Sequence, residues 1–287
     1  LSPDSIRADA ERVATIALAE DGPLDVTTLV AADPDERTRA RIEYRTGGIL
    51  AGTAWAAAVA RLSGCSVQWA ASEGATIPPD TVIGELQGSF LAVLRAERPL
   101  LNLLQRACGI ATETARYVTA VSGTPCRILH TRKTAPGLRL FDVCAVLAGG
   151  GALHRLDLAH TVMVKDNHWQ ALERSGRSLA EALNAARSRE ISDCQVEVES
   201  QEQVDRATGA GASRLLIDNQ TPETVRQWAA RARAARPGIE IEATGGIDLS
   251  NARSYAEAGA DYISIGALTH SVRAADVGLE IGGSRER

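Results

Sequence analysis

The chain has 287 residues and a formal net charge of −5. That length exceeds the size at which a single hydrophobic core stops growing, so two domains are expected. The mild acidity argues against a nucleic-acid binder, and no apolar run is long enough for a membrane helix.

The first residues, LSPDSIRADAERV, carry charges where a secretory signal needs an apolar core. Five cysteines are widely spaced and contain no CxxC pair. They read as reduced, mostly buried thiols of a cytoplasmic protein rather than metal ligands. Residues 4–20 have apolar positions at helical spacing after an Asp/Ser start. DVTT follows and reads as irregular. ARIEYRTGGILAGT (40–53) alternates and is rich in β formers, which predicts strand, turn and strand. TAWAAAVARLSG reads as a helix ended by Gly64. CSVQWAASEGATIPPDTVIGELQGS reads as short strands broken by Gly and Pro. The next stretch, LAVLRAERPLLNLLQRACGIATETARYVTAVSG, is strongly helical in spacing, with a break expected at Pro99. These features describe an α+β domain over about the first hundred residues.

After Gly123 the rhythm changes. Short apolar runs alternate with Ala-rich amphipathic segments: CRILH (126–130), TVMVK (161–165), CQVEVE (194–199), SRLLID (213–218), IEIEAT (239–244) and DYISIG (261–266). Strands separated by helices imply a parallel sheet. It can close into an incomplete relative of the (β/α)₈ barrel or stay open. The barrel is favoured because each run ends in a chemically useful residue, and a barrel gathers those ends at one mouth.

Three groups meet there. The cationic group is Arg132, Lys133, His154, Arg155 and Lys165. Lys133 and Lys165 are the only lysines among 31 basic residues. A compact ammonium therefore survives only where a planar guanidinium cannot replace it. Arginines suit bidentate capture of carboxylates. The anionic group is Glu197 and Asp218, which suit Mg²⁺ shared with a phosphate, or sugar hydroxyls. The third group is the glycine-rich ATGGI and SIGAL, whose free backbone N–H groups suit phosphate. Dinucleotide and P-loop motifs are absent from the sequence. Together these suit transfer of a phosphoribosyl group to an acidic acceptor.

TRKTAPGLR, GGGALHRL, KDNH, VEVE, IDN, TGGI and GALTHSVR, in this order, with DVTT, AERPLLNLL and GIAT before them, resemble the quinolinate phosphoribosyltransferase family (carboxylating nicotinate-nucleotide pyrophosphorylase). The resemblance spans nearly the whole chain. It implies an α/β fold with an N-terminal α/β sandwich, residues 1–108 with the tail 271–287 packed on it, and a six-stranded incomplete α/β barrel, residues 109–270. It implies condensation of quinolinate with phosphoribosyl diphosphate to nicotinate mononucleotide, diphosphate and CO₂, with Mg²⁺, in NAD biosynthesis. It further implies a homodimer.

By the same resemblance, Arg132, His154, Arg155 and Lys165 form the quinolinate pocket, with Arg98 donated across the subunit interface. Lys133, Glu197, Asp218, Thr244, Gly245, Gly246, Gly266 and His270 belong to phosphoribosyl diphosphate. Glu197 and Asp218 serve the metal, directly or through water or diphosphate. Lys165, Glu197 and Asp218 are the catalytic set. The chain departs from the family at His130 (usually Asp), Leu153 (usually Asn), Asp157 (usually Gly) and Val143 (near a usual basic residue). ACG (107–109) and AVLAGGG resemble molybdenum-operon paralogues, which lack the lysine present here as Lys165. A paralogue with another acceptor, a Schiff-base lyase using Lys165 and a non-catalytic anion binder are the alternatives.

Overall fold

The computed structural model describes residues 1–282. Two compact units divide the chain discontinuously. Among the described residues one comprises 1–115, 133–150 and 267–282, and the other 116–132 and 151–266. This division by compactness differs from a contiguous cut near 108 in placing residues 133–150 in the first unit, where Phe141 packs edge-on against Trp55 with ring centroids 5.2 Å apart.

The first unit opens with α1 (Pro3–Glu20), where Ser2 accepts the Ser5 N–H and Pro3 fills the first turn. The segment DVTT is not irregular. Asp25 accepts the N–H groups of Thr27 and Thr28 and starts a short helix, α2 (Val26–Ala31). Next come β1 (Arg37–Tyr44), β2 (Gly48–Ile49), α3 (Thr53–Leu62), β3 (Ser66–Trp69), β4 (Thr76–Ile77) and β5 (Thr81–Ser89). β1 and β2 do not form a hairpin: β2 pairs with β4, and β1 pairs with β5. Helix α4 (Phe90–Ala120) runs through Pro99 without stopping, against the expected break. Proline removes one N–H, leaving the Arg95 carbonyl without its usual donor, and the rest of the 31-residue helix carries the turn.

In the second unit, six parallel strands fall where the sequence placed them: β6 (Arg127–Leu129), β7 (Val162–Val164), β8 (Cys194–Val198), β9 (Arg214–Asp218), β10 (Glu240–Thr244) and β11 (Tyr262–Ser264). Between them lie α5 (Arg139–Ala148, in the first unit), α6 (Asp166–Ser175), α7 (Leu179–Arg187), α8 (Gln201–Gly209), α9 (Pro222–Ala235) and α10 (Ala252–Glu257). The chain ends with α11 (Ala267–His270) and β12 (Val277–Ile281) of the first unit. β12 pairs antiparallel with β1, from Ala40 opposite Ile281 to Tyr44 opposite Val277, and completes the sheet β12-β1-β5-β3. Residues 283–287 of the expected tail lie outside the described residues.

The six-stranded sheet runs β6-β11-β10-β9-β8-β7, so the first strand lies beside the last. That order is a barrel's, and among the described residues no ladder joins β6 to β7, so the barrel is incomplete. Alternation sets its two faces. Val196, Val198, Leu215, Ile217, Ile241, Ala243 and Ile263 are buried on the outer face, on the helix side of the sheet. Gln195, Glu197, Arg214, Glu242 and Ser264 alternate with them and line the inner face. Leu129, Met163 and Leu216 share that inner face, so the barrel interior mixes buried polar groups with apolar ones, and the outer face is the more uniformly apolar layer.

Candidate active site

Each strand end presents its residue through the pleat. Glu197 lies on β8 opposite Leu216, and Asp218 ends β9 opposite Thr244 of β10. Lys165 follows β7 and caps α6. Its Nζ is hydrogen-bonded to Glu197 Oε2, and its backbone N–H donates to His168 Nδ1 at 3.0 Å. The Lys165 side chain is 41% exposed and that of Glu197 only 10%, so the carboxylate is held from below while the ammonium can reach outward. Trp169 Nε1 donates to the Glu197 carbonyl at 2.8 Å and fixes the strand end.

Beyond β10 the chain turns at Gly245 (φ +84°) and Gly246 (φ +61°), backbone that favours glycine. A Cβ at Gly245 would collide with the side chain of Asn219. Asn219, itself at φ +53°, donates its N–H to the Thr244 carbonyl at 2.9 Å and its Nδ2 to Asp218 Oδ2 at 2.6 Å. It thus ties Asp218 to the glycine turn. Sequence reasoning quoted it within IDN and gave it no role. A lone Asn after a strand-end Asp was the only signal.

Arg132 and Arg155 are partly buried and close enough to act on each other. Burial, and next the Arg132 charge, push the Arg155 guanidinium below the usual arginine range. Arg132 Nε is buried without a hydrogen-bond partner among the described residues. A buried guanidinium N–H left open fits a pocket meant for an anion.

His154 lies against Arg155, and both of its ring nitrogens are engaged by the protein. Nδ1 accepts the Arg155 N–H at 2.7 Å, and Nε2 donates to Glu242 Oε2 at 3.3 Å. His130, fully buried, accepts the His154 N–H on Nε2 at 3.0 Å and donates Nδ1–H to the Thr131 carbonyl at 3.2 Å. Burial pushes its imidazole down to about 4, so it is neutral near pH 7. The usual histidine value is about 6.5. A depressed native value means stability is full above about 6.5 and is lost as pH falls toward about 4. Between pH 7 and 4.5, the wild type should lose on the order of 2 kcal/mol more unfolding free energy in urea than His130→Asn. Equal losses in both proteins would contradict a neutral buried His130.

In the first unit, Lys133 and His270 are brought near each other. Thr269 Oγ1 donates to the Lys133 carbonyl at 2.9 Å. Arg106 donates from Nε and Nη2 to buried Asp142, at 2.8 Å each, and to the Thr269 carbonyl at 3.0 Å. Asp142 also accepts the Ala135 N–H at 3.1 Å. This clamp sets the TRKTAPG loop, and sequence reasoning missed both of its charged members. Arg98 lies on α4 with its side chain 60% exposed and a 3.2 Å contact to neighbouring Glu97.

No three His, Cys, Asp or Glu side chains converge into a metal cage among the described residues. Glu197 and Asp218, all-oxygen donors on adjacent strand ends, fit a hard cation that keeps waters and shares ligation with a phosphate.

An incomplete α/β barrel with cations, carboxylates and a glycine turn at its strand ends has the makings of an enzyme for phosphorylated and carboxylated substrates. The chain belongs to the quinolinate phosphoribosyltransferase family. The family model of the N-terminal domain matches residues 25–108 and that of the C-terminal domain residues 110–280. The nicotinate-nucleotide pyrophosphorylase [carboxylating] of Mycobacterium leprae is 38% identical over 264 residues, 90% of this chain and 91% of that protein. Its human counterpart is 36% identical over 270 residues, covering 92% and 89%. The structure of the nicotinate-nucleotide pyrophosphorylase from Francisella tularensis superposes with a TM-score of 0.88 at 31% identity, covering 98% of both chains.

Proposed function

We propose that this enzyme transfers the phosphoribosyl group of phosphoribosyl diphosphate to quinolinate and decarboxylates the product, giving nicotinate mononucleotide, diphosphate and CO₂ in NAD biosynthesis. Family membership supports the reaction class. The observation that carries the acceptor is the surplus of cations, Arg132, Arg155 and Lys165, over what a single carboxylate needs. The same likeness gives a lyase or a merely anion-binding protein no support.

The quinolinate ring nitrogen forms the bond to ribosyl C1 as the C1–O bond breaks and diphosphate leaves with the electron pair. Glu197 and Asp218 face the positive charge that builds at C1 and stabilise it electrostatically. Glu197 and Asp218 would hold Mg²⁺, directly or through water, and the ion would supply charge neutralisation for the diphosphate. Arg132, Arg155 and Lys165 orient the two adjacent carboxylates, with His154 beside them. The alkylated pyridinium then draws the electron pair of the neighbouring C–CO₂⁻ bond into the ring. CO₂ leaves and the carbon takes a proton, so no organic cofactor is needed. The glycine turn Thr244–Gly245–Gly246, with Gly266 after β11, suits phosphate oxygens through backbone N–H groups. Lys133 and His270 keep the phosphoribosyl diphosphate role that the resemblance implies, and Arg98 keeps its role across a homodimer. Five free thiols suit a reducing compartment such as the cytoplasm. Among the described residues no helix is long and apolar enough to cross a membrane.

Acceptor selectivity tests this reading. Nicotinate has one carboxylate, and a partly buried cation left without its partner costs about 3 kcal/mol. Turnover per unit concentration should favour quinolinate over nicotinate by at least about a hundredfold. Comparable rates with the two acids would contradict it.

A further inference from the structure

Arg132 and Arg155, both partly buried, carry like charges within electrostatic reach of each other. A pocket for two adjacent carboxylates needs each of them held in place. A continuous set of hydrogen bonds joins the two backbones. It starts at the carbonyl of Thr131, next to Arg132, and passes through His130 Nδ1–H and Nε2 to the His154 N–H. It continues through the His154 ring, whose Nδ1 accepts the Arg155 N–H and whose Nε2–H ends on Glu242.

The far end is rigid. Glu242 is 1% exposed and also accepts from Ser264 Oγ and, at 3.1 Å, from Arg214 Nη1. Arg214 is gripped in turn by Glu240 at 2.8 Å and lies 4.0 Å from the centroid of the Tyr262 ring. Burial disfavours the Glu242 carboxylate, yet the hydrogen bond and charge of His154, the Ser264 hydrogen bond and the Arg214 charge outweigh it and hold its pKa below the ordinary value.

We infer that Glu242 and His130 are positioning residues for the acceptor pocket: they fix the His154 ring and, through it, the Arg155 backbone. The inference rests on the quinolinate reading above. It gives His154 a further part, that of setting the backbone of the neighbouring arginine. Both ring nitrogens are engaged by the protein.

Nuclear magnetic resonance of the ¹⁵N-histidine-labelled protein reads this without any substitution. Near pH 7, His130 should be protonated on Nδ1 alone, with and without saturating quinolinate. A His130 ring protonated on Nε2, which could not accept the His154 N–H, would overturn the inference. Binding of quinolinate and of Mg²⁺–phosphoribosyl diphosphate to His130→Leu and Glu242→Gln gives the second readout. Each variant should raise the quinolinate Kd roughly tenfold or more. Each should leave the diphosphate Kd within about twofold, since neither residue touches the glycine turn. His130→Asn, which keeps an acceptor for the His154 N–H, should recover most of the loss. Equal weakening of both ligands, or an unchanged quinolinate Kd in folded variants, would mark the residues as merely structural and overturn the inference. If the wild type bound no quinolinate, the acceptor reading itself would fall, an outcome distinct from tight binding that the variants do not alter.

Discussion

Lys165→Met is expected to lower kcat/KM for quinolinate by about a hundredfold to a thousandfold. Two losses combine. In the proposed reading the acceptor loses the one flexible ammonium of its pocket, and Glu197, with only 10% of its side chain exposed, loses the cation that balances it. Removing one member of a hydrogen-bonded charge pair in such a place costs about 3 to 4 kcal/mol, and each 1.36 kcal/mol is roughly a factor of ten in rate. Lys165→Arg should also be costly, by at least about tenfold, because the larger planar guanidinium cannot occupy the position Nζ takes against Glu197. Steady-state kinetics on both variants, with quinolinate and phosphoribosyl diphosphate varied separately, checks this. A kcat/KM within about threefold of wild type in Lys165→Met would show that the pair serves stability and not the reaction.

Mixing two inactive proteins, Arg98→Ala and Glu197→Ala, is expected to return about a quarter of wild-type activity once their subunits exchange. Arg98 lies on α4 and not at a strand end of the barrel, and its side chain is 60% exposed. The family resemblance has it serve the partner's pocket. In a mixed dimer the Arg98→Ala chain keeps its own Glu197 and receives Arg98 from its partner, while the other site lacks both groups. Random pairing makes about half the dimers mixed, each with one intact site of two, in a closed two-fold assembly. If Arg98 served its own barrel, every site would lack one group and mixing would restore nothing. Subunit exchange is verified separately with differently tagged chains.

The six barrel strands were readable because each is a short apolar run bounded by polar ends, and the run ends already carried Lys165, Glu197, Asp218 and Thr244. The sequence misled where one local interaction outweighs the pattern. Asp25 starts α2 by capping, although DVTT has no periodicity to show. Pro99 is carried through α4 because the helix on both sides is long enough to absorb one missing bond. Residues 133–150 follow a barrel strand in sequence yet belong to the first unit, through contacts such as Phe141 with Trp55 that no spacing reveals.

The polar part of the interior was half legible. Alternation in EIEAT puts Glu240, Glu242 and Thr244 on one face, just as QVEVE does for Glu197 and Glu199. What could not be read was the loop that brings His154 onto Glu242, or His130 reaching the backbone of His154. Those contacts join residues far apart in sequence, and one of them, His130, looked like a departure from the family pattern rather than a part with a function.

The most direct measurement follows quinolinate labelled with ¹³C at the carboxylate next to the ring nitrogen, incubated with the protein, Mg²⁺ and phosphoribosyl diphosphate. The account predicts that labelled CO₂, diphosphate and nicotinate mononucleotide appear together in equal amounts. Release of diphosphate without labelled CO₂, or no nicotinate mononucleotide from an otherwise folded protein, would contradict it.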